Sequence, residues 1–400
     1  MLIFELLLQF LGVIVVIALC LWLGMVFRLW SMKRTKPNIK EGLKLPMPEQ
    51  HLVSIVVPAH NEERVVDCCA KSLRGQSYEN LQIIFVLDRC TDQTLNIIQR
   101  HALEDSRVIY IEKKDCPVDW SGKCHAAQVG ANQAIGKWIL FTDADTEFDK
   151  ELVRCAIASA TERGATLLSL LSSLTISKLF EKIIQPIAST FLVRQYPVDR
   201  INRVSRSRPF ANGQFLLFLK EEYDNIGGHQ AVKDELLEDI AFARLVHKHK
   251  LKVQVLFADG MLTCSMYDTF LSFKNGWTRI YIEASTRNVN RLRRSAVLTF
   301  IVTFLFPLFE LGGICLGYYQ SKLLFWLSIS AVLGNLGVVG WLYTMNRAPL
   351  LYAFFSPLGG LVVSSIFWNA AAILQNQVPI YWGGRKYILE PKTNANFINE

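Results

Sequence analysis

The stretch Val53–Glu63 reads VSIVVPAHNEE and marks the start of a folded α/β domain. Its first residues are mostly apolar and β-branched, which is typical of a buried strand, and the polar residues after Pro58 lead into a helical pattern. The same alternation of strands and helices continues to about Arg294, so the sequence predicts a mostly parallel sheet flanked by helices. Ligands of such sheets bind beyond the carboxyl ends of the strands, which makes the turn after Pro58 a candidate site.

Hydrophobic periodicity predicts seven strands and five helices in this region. The predicted strands are Val53–Val57, Gln82–Leu87, Val108–Ile111, Trp138–Thr142, Thr166–Leu171, Gln214–Leu219 and Val253–Phe257. The predicted helices cover about Glu62–Leu73, Asp92–His101, Gly122–Ala134, Lys150–Arg163 and Glu235–Lys248. No GxGxxG turn follows the first strand, which disfavours a dinucleotide-binding site.

Two acidic turns directly follow predicted strands. Asp143 and Asp145 stand one residue apart after an apolar strand, and such a pair can hold Mg²⁺ or Mn²⁺, which in turn bridges phosphate oxygens. A turn with a helix cap is the alternative for this pair. Asp88 and Asp92 follow the second strand, and for Asp92 a helix-capping role is the competing interpretation.

Two further candidates lie at predicted helices. Glu238 and Asp239 form an acidic pair in a helical stretch, and a carboxylate held near a sugar hydroxyl would act as a general base. A solvated surface pair is the alternative. Lys123 stands at the start of another helix, where it could meet a diphosphate, although a solvated lysine is the plainer interpretation.

The chain begins with an apolar run, Leu2–Met25, which is long enough to cross a bilayer as a helix. Basic residues follow it, and they are Arg28, Lys33, Arg34, Lys36, Lys40 and Lys44. Positive charge after a first span favours the cytoplasmic side. The sequence therefore predicts an outward-facing N-terminus and a cytoplasmic central domain.

Three more apolar runs follow the central domain, at about Ala296–Tyr318, Leu323–Met345 and Pro349–Leu374. Three full spans would put the C-terminus outside, yet the basic residues between Arg385 and Lys392 favour the inside. An interfacial or re-entrant run is therefore an open alternative to a third span. Glu310 lies within these runs, where it either pairs with a neighbour or lines a polar cavity.

Composition agrees with a membrane protein that carries a folded domain. Hydrophobic residues make up 51% of the chain, charged residues 20%, and the mean hydropathy is +0.24. The net charge of +8 is concentrated beside the apolar runs, where anionic lipid attracts it, and is not interleaved with aromatics as nucleic-acid binding requires. The nine cysteines are scattered without a CxxC pair, which disfavours a disulfide framework or a thiolate zinc site.

The predicted organisation is that of a multi-pass integral membrane protein with a cytoplasmic domain, in the cell membrane if the source is bacterial. Its parts are an N-terminal transmembrane helix at 1–27, a basic juxtamembrane linker at 28–50, the cytoplasmic α/β domain at 51–290, a C-terminal transmembrane region of two or three spans at 291–380, and a tail at 381–400.

Taken in order, these motifs resemble family 2 glycosyltransferases with the GT-A fold, over about residues 52–285. The motifs that carry the resemblance are VPAHNEE at 57–63, Asp88 with Asp92, Gly122-Lys123, TDAD at 142–145 and Glu238-Asp239. Trp120 with Lys123, the ending YWGGRKY at 381–387 and the flanking spans look like hopene-associated and carotenoid-type members, and ceramide glucosyltransferases share the plan.

The resemblance implies an inverting, metal-dependent transfer of a sugar from a nucleoside diphosphate sugar, most often UDP-linked, to a membrane lipid. Asp143 and Asp145 would hold Mn²⁺ or Mg²⁺ and the diphosphate, and Asp88 would contact uracil. Asp239 would be the catalytic base, with Glu238 orienting acceptor or base. The nucleoside pocket would be shaped by Pro58, Ala59 and Glu62.

One departure from the family concerns the Gln-x-x-Arg-Trp motif of processive synthases, which is absent. Its region contains Trp277 and Arg279, which would supply a ring wall and a phosphate contact for the acceptor side. A processive polysaccharide synthase and a non-catalytic membrane scaffold with a GT-A domain remain alternatives. The apolar segment Ser177–Val193 either lies on the membrane and leads a lipid acceptor to the site, or is a core helix.

Overall fold

The computed structural model describes residues 2–34, 37–202 and 209–392. Four predicted regions therefore lie partly outside the described residues, because the gaps remove Met1 from the N-terminal helix, 35–36 from the basic linker, 203–208 from the central domain and 393–400 from the tail.

The described residues form twelve β-strands, numbered in chain order. They are β1 Val53–Ala59, β2 Leu81–Asp88, β3 Val108–Lys113, β4 Trp138–Phe141, β5 Thr146–Phe148, β6 Leu167–Leu171, β7 Ser173–Leu174, β8 Leu216–Leu219, β9 Val253–Phe257, β10 Leu262–Cys264, β11 Ile380–Trp382 and β12 Arg385–Tyr387.

Fourteen α-helices are described along the same residues. They are α1 Leu2–Arg34, α2 Val66–Arg74, α3 Thr94–Glu104, α4 Gly122–Gln133, α5 Leu152–Arg163, α6 Leu179–Gln195, α7 Val198–Ile201, α8 Lys220–Asn225, α9 Glu238–Lys248, α10 Phe270–Ala284, α11 Val289–Phe300, α12 Phe306–Gln320, α13 Lys322–Met345 and α14 Ser356–Gln375. A π-helical turn, Ile301–Leu305, joins α11 to α12 just before Pro307, which lacks the N–H donor of a regular helix.

The main sheet contains seven strands in the order β3-β2-β1-β4-β8-β6-β9. All neighbours pair in parallel except β8, which runs antiparallel to β4 and β6. Successive side chains of β1 enter opposite faces, with Ile55 and Val57 in one hydrophobic core and Val56 in the other. Burial on both faces explains the continuous apolar runs of the sequence. The predicted GT-A architecture, a mostly parallel sheet flanked by helices, is confirmed.

A small second sheet lies beside the acidic turn at 143–145. Its order is β5-β10-β7, with β10 antiparallel to β5 and parallel to β7. Cys264 at the end of β10 is paired in register with Thr146. This sheet therefore brings the segment after residue 262 next to Asp145.

Four helical stretches in the described part of the chain are long and apolar enough to cross a membrane: Ile3–Trp30, Val289–Gln320, Lys322–Met345 and Leu350–Gln375. The helices α1, α12 and α13 pack together. Between them the Trp22 indole donates to Glu310 Oε1 at 2.6 Å, and Asn335 Nδ2 lies 3.4 Å from Glu310 Oε2. Glu310 is therefore paired with neighbours from both other helices.

Helix α14 packs differently, because it covers helices of the central domain. Its Phe367 ring stacks on Tyr281 of α10, with centroids 3.8 Å apart, and meets Phe191 of α6 edge-on at 5.0 Å. The α6 residues Ile184, Ile187 and Phe191 are buried in this core. One face of the helix in the segment Ser177–Val193 therefore packs in the hydrophobic core, as the core-helix alternative predicts.

Two segments outside the predicted central domain pack onto it. Ile39, in the basic linker, is fully buried in the core, and the backbone N–H of Phe257 donates to the Pro37 carbonyl at 2.9 Å. After α14, the hairpin of β11 and β12 returns to the same domain, where Arg385 donates to the carbonyls of Cys116 and Pro117 at 2.8 and 3.0 Å. Neither segment is a free linker or tail over these residues.

Candidate functional site

The first part of the site lies where β1 and β2 end side by side. The carboxylate of Asp88 accepts from Nε and Nη2 of Arg89 at 3.0 and 2.6 Å, and its side chain is only 5% exposed. The backbone of Arg89 is left-handed, with φ 51°, which turns its side chain back toward Asp88. The carboxylate predicted to contact uracil is thus already paired with an arginine.

The turn after β1 forms one wall of a cavity. Pro58 and Ala59 end the strand, and Cys90 Sγ lies 3.4 Å from the Ala59 carbonyl. The cavity holds about 410 Å³, and its lining includes Asn61, Glu62, Thr91, Asp92, Asp145, Ser265, Met266 and Asp268. Burial together with Asp145 and Asp143 raises the pKa of Glu62 to about 8. A volume of this size suits a small ligand.

Asp92 serves chiefly as a cap within this wall. Its carboxylate accepts from the backbone N–H groups of Thr94 and Glu63, both at 3.0 Å. The helix-capping interpretation of Asp92 therefore matches its hydrogen bonds.

The acidic turn after β4 contains two carboxylates in different states. Asp143 Oδ1 lies 2.6 Å from the ammonium of Lys123. Asp145 Oδ1 is buried and has no hydrogen-bond partner among the described residues. Burial and the nearby Asp143 raise the pKa of Asp145 to about 7. A buried carboxylate oxygen without a partner is costly, so it calls for a cation or a donor.

Lys123 connects this turn to the second acidic centre. Its ammonium lies 2.6 Å from Asp143 Oδ1 and 2.6 Å from Glu238 Oε1. Burial alone would lower the pKa of Lys123, but the two carboxylates outweigh it and raise that pKa well above its usual value. Ser121 caps the same helix by accepting from the Cys124 N–H at 3.3 Å. The solvated-lysine interpretation does not match this geometry.

Glu238 and Asp239 begin α9 and point to different partners. Burial would raise the pKa of Glu238, but Lys123 lowers it, so this carboxylate stays charged. Asp239 accepts from the backbone N–H groups of Gly213 and Ile240, both at 2.7 Å. Burial and the adjacent Glu238 raise the pKa of Asp239 to about 7. A carboxylate with a pKa near neutrality is suited to take and release a proton.

Gly213 is a site residue that none of the sequence motifs contains. A Cβ at this position would lie 3.2 Å from Lys123 Nζ, 3.3 Å from Asp239 Oδ2 and 3.3 Å from Glu238 Oε1. The absent side chain lets the backbone approach all three charges.

The two acceptor-side candidates occupy different environments. Trp277 is 2% exposed, and its indole N–H lies 3.4 Å from Gln185 Oε1. Arg279 donates to the Leu236 carbonyl at 3.2 Å and stands over the Trp382 ring, 4.2 Å from its centroid. Arg279 therefore borders the start of α9, while Trp277 packs in the core.

The side chains present fit a divalent metal whose coordination is completed by its substrate. Within the described residues, no group of three or more His, Cys, Asp or Glu side chains surrounds one metal position. Mg²⁺ and Mn²⁺ commonly take one or two carboxylates and fill their other positions with water and phosphate oxygens. Asp145, with its unpaired oxygen, and Asp143 supply such a pair. Lys123 pairs with Asp143 and Glu238 and leaves the buried Oδ1 of Asp145 without a partner among the described residues.

Comparison with known proteins adds a family and several relatives. Residues 54–240 match the family described as Glycosyl transferase family 2. The 4,4'-diaponeurosporenoate glycosyltransferase of Staphylococcus aureus strain USA300 is 24% identical over 349 residues, which cover 84% of this chain and 88% of that protein. The protein of that name from the bovine strain RF122 / ET3-1 is also 24% identical, with the same coverage of both chains.

A solved structure is also similar to this chain. A mannosyltransferase from Pyrobaculum calidifontis, in complex with GDP-Man and Mn²⁺, is 15% identical, covers 91% of this chain and 98% of its own, and has a TM-score of 0.49.

Proposed function

We propose that this chain, whose residues 54–240 match the family described as Glycosyl transferase family 2, transfers a sugar from a UDP-linked donor to a hydroxyl group of a membrane lipid, with inversion at the anomeric carbon. The observation that carries the proposal is the position of Lys123, whose ammonium lies 2.6 Å from both Asp143 and Glu238. One side chain thereby joins the proposed diphosphate end to the helix that bears the proposed base.

In this proposal Asp239 takes the proton of the acceptor hydroxyl as that oxygen attacks the anomeric carbon. Its two backbone hydrogen bonds, from Gly213 and Ile240, fix the orientation of the carboxylate. Glu238 is held by Lys123 and orients the acceptor or the base. An attack opposite the leaving diphosphate in a single displacement gives inversion.

The leaving diphosphate would lie between Lys123, at the N-terminus of α4, and the acidic turn. A helix N-terminus with a lysine favours phosphate oxygens. Mn²⁺ or Mg²⁺, held by Asp145 and Asp143, would neutralise the charge that develops on the diphosphate. The nucleobase of the donor would lie toward Asp88. There the Asp88 carboxylate can accept hydrogen bonds and its partner Arg89 can donate them.

A lipid acceptor is supported by the setting of the site. The flanking helices are long and apolar enough to cross a membrane, and the Staphylococcus relative is named for the glycosylation of 4,4'-diaponeurosporenoate. An acceptor whose tail stays in the bilayer would present its hydroxyl at the cytoplasmic surface. In this proposal the lipid acceptor would reach the site along α6 and α10.

In the same proposal, the contacts of the C-terminal hairpin determine whether the number of membrane crossings before it is odd or even. Arg385, after the last apolar helix, donates to the carbonyl of Cys116 in the central domain. Both residues are therefore on one side of the membrane, and the chain between the domain and Arg385 must cross an even number of times. Since three candidate helices lie in that interval, one of them does not cross.

We assign the non-crossing helix to α14. Arg347, just before it, lies 3.7 Å from Asp259 of the central domain, and Gln375 at its end accepts from Arg293 at the start of α11. Phe367, at its middle, stacks on Tyr281. A helix that contacts the central domain through Arg347 before its start and through Phe367 at its centre lies along the membrane surface. Helix α11 lies along α14, because Ser364 donates to the Ala296 carbonyl, which leaves α1, α12 with the π-helical turn before it, and α13 as the three crossings.

Cysteine labelling with a membrane-impermeant maleimide tests this topology. In intact cells Gln320→Cys, between α12 and α13, should be labelled, whereas Asn376→Cys, after α14, should react only after permeabilisation. Labelling of Asn376→Cys in intact cells would show that α14 crosses.

The activity is tested with membranes that contain the wild type or the Asp239→Asn variant. Each receives labelled UDP- and GDP-sugars with Mn²⁺ or Mg²⁺, and label is followed into the lipid extract and into insoluble polymer. Metal-dependent label in lipid that Asp239→Asn abolishes supports the proposal, and label in polymer would favour a processive synthase. Asp224→Asn, an exposed carboxylate paired with Lys220, is the matched control and should retain activity.

A further inference from the structure

The hairpin after α14 spans the central domain from one end of the site to the other. At one end the Gly383 carbonyl accepts from Arg89 Nη2 at 3.2 Å, and the same guanidinium pairs with Asp88. At the other end the Trp382 ring lies under Arg279, 4.2 Å from the guanidinium carbon. Arg385 fastens the second strand to the loop before α4.

Arg279 lies at the border between the acidic turn and the start of α9. Its Nη1 donates to the Leu236 carbonyl at 3.2 Å, two residues before Glu238. The Tyr267 ring is in close contact with Gly276, which lies on the same helix as Arg279, and Ser265, two residues before Tyr267, donates its backbone N–H to the Asp145 carbonyl at 2.9 Å. The helix that carries Arg279 is therefore linked to both sides of the proposed diphosphate site.

Two donors at this border are buried and unpaired. Arg279 Nε and the Tyr267 hydroxyl have no hydrogen-bond partner among the described residues. Buried donors are nearly always satisfied, by protein, water or ligand. A buried arginine with an unpaired Nε–H is suited to a ligand that brings phosphate oxygens, and the unpaired oxygen of Asp145 is suited to the divalent metal that would accompany them.

We propose that the C-terminal hairpin contributes to the donor-binding site through Trp382 and Gly383, and that Trp382 is a positioning residue that holds Arg279 so that its unpaired Nε–H can donate to the diphosphate of the bound donor. The inference rests on the proposed function for the identity of that donor. The segment after α14, predicted from the sequence to be a C-terminal tail, would then take part in nucleotide binding.

The indole ring has two effects on Arg279. It attracts the cation through its face, and it removes water from one side of a planar group that would otherwise sample many rotamers. Both effects reduce the conformational entropy that the Arg279 side chain loses when the diphosphate binds. The contact is therefore expected to change affinity for the nucleotide more than turnover of bound substrate.

The test is the binding of UDP, with Mn²⁺, to the purified full chain in detergent, measured by calorimetry. Trp382→Leu should weaken UDP binding roughly 10-fold, the order expected for loss of a partly desolvated cation–π contact, whereas Trp382→Phe keeps a ring and should retain most of the affinity. Tyr381→Ala is the matched control, because Tyr381 is on the same hairpin and is 74% exposed. It should bind UDP as the wild type does.

A double-mutant cycle separates positioning from mere packing. If Trp382 acts through Arg279, the variant with both Trp382→Leu and Arg279→Ala should bind UDP no more weakly than Arg279→Ala alone. Additive losses, or a Trp382→Leu variant that folds and binds UDP normally, would overturn the inference. Should Trp382→Leu fail to fold, Arg279→Lys decides, because it keeps the charge but loses Nε and should also weaken binding.

Failure of the proposed function looks different in the same experiment. A wild type that binds neither UDP nor GDP would overturn the donor assignment and the role of the hairpin together. A wild type that binds UDP, alongside hairpin variants that bind it equally well, would overturn the role of the hairpin alone.

Discussion

Lys123 and Glu238 lie in the first turns of two different helices, α4 and α9, yet the lysine ammonium lies 2.6 Å from the glutamate carboxylate. The contact fixes the start of α9 relative to the acidic turn, because the same ammonium meets Asp143. Two halves of the proposed site, one for the leaving group and one for the acceptor, are therefore tied by one charged group.

Replacing Lys123 should disable the site more than it unfolds the protein. Lys123→Met leaves Glu238 and Asp143 without their cation, and we expect activity to fall by about 100-fold or more, the loss typical of a removed electrostatic contact at a reacting centre. Transfer to lipid in membranes is the readout. Lys220→Met, which removes an exposed lysine paired with Asp224, is the control and should keep near-normal activity.

The pH dependence of transfer should report the state of Asp239. Its pKa is raised to about 7 by burial and by Glu238. A base must be deprotonated to act, so activity should rise with pH through about 7, and at pH 6 it should be roughly tenfold below its plateau. The rate against pH at saturating donor checks this, and a rate that falls between pH 6 and 8 would exclude Asp239 as the base.

Gly213→Ala tests how closely the backbone must approach the charged groups. The added Cβ would lie 3.2 to 3.3 Å from Lys123, Asp239 and Glu238. We expect roughly a 10-fold loss of activity, because a small displacement of a catalytic group is costly, with little change in thermal stability. Gly337→Ala in α13 has open space around its Cβ and should be neutral.

The intramembrane pair should contribute to stability without a part in transfer. Trp22→Phe removes the indole that donates to Glu310 at 2.6 Å and leaves Asn335 as the remaining contact. We expect a loss of roughly 1–2 kcal/mol, since buried polar pairs in membranes are worth about that much. Thermal unfolding in detergent measures it. The specific activity of the folded fraction should be unchanged, and a selective loss of activity would mean that Glu310 serves the reaction.

Most main-sheet strands could be predicted because they are buried on both faces and are therefore almost continuously apolar, although the edge strand β3 is partly exposed. The helix boundaries were less predictable. Helix α2 begins at Val66 although a helical pattern starts at Glu62, because the residues between them form the turn at the cavity. Polar residues at the start of a helical pattern do not distinguish a first helical turn from a capped loop.

The site was predictable as a set of acidic residues, and its connections were not. The motifs identify Asp143, Asp145, Glu238 and Asp239 as candidates. They do not predict which of these carboxylates form ion pairs with Lys123. Gly213 carries no signal, because its role depends on close approach in three dimensions. The contact between Arg279 and Trp382 joins residues far apart in sequence, and the YWGGRKY ending alone does not reveal its partner.

The stacking of Phe367 on Tyr281 has a consequence for how the protein is made. Part of the core of the central domain is supplied by α14, which is translated after the three proposed membrane crossings. The domain therefore emerges from the ribosome with an uncovered aromatic face, and we expect it to reach its final packing only once the later helices have been inserted. In the proposed topology, folding of the central domain should therefore depend on the insertion machinery, even though that domain stays outside the bilayer.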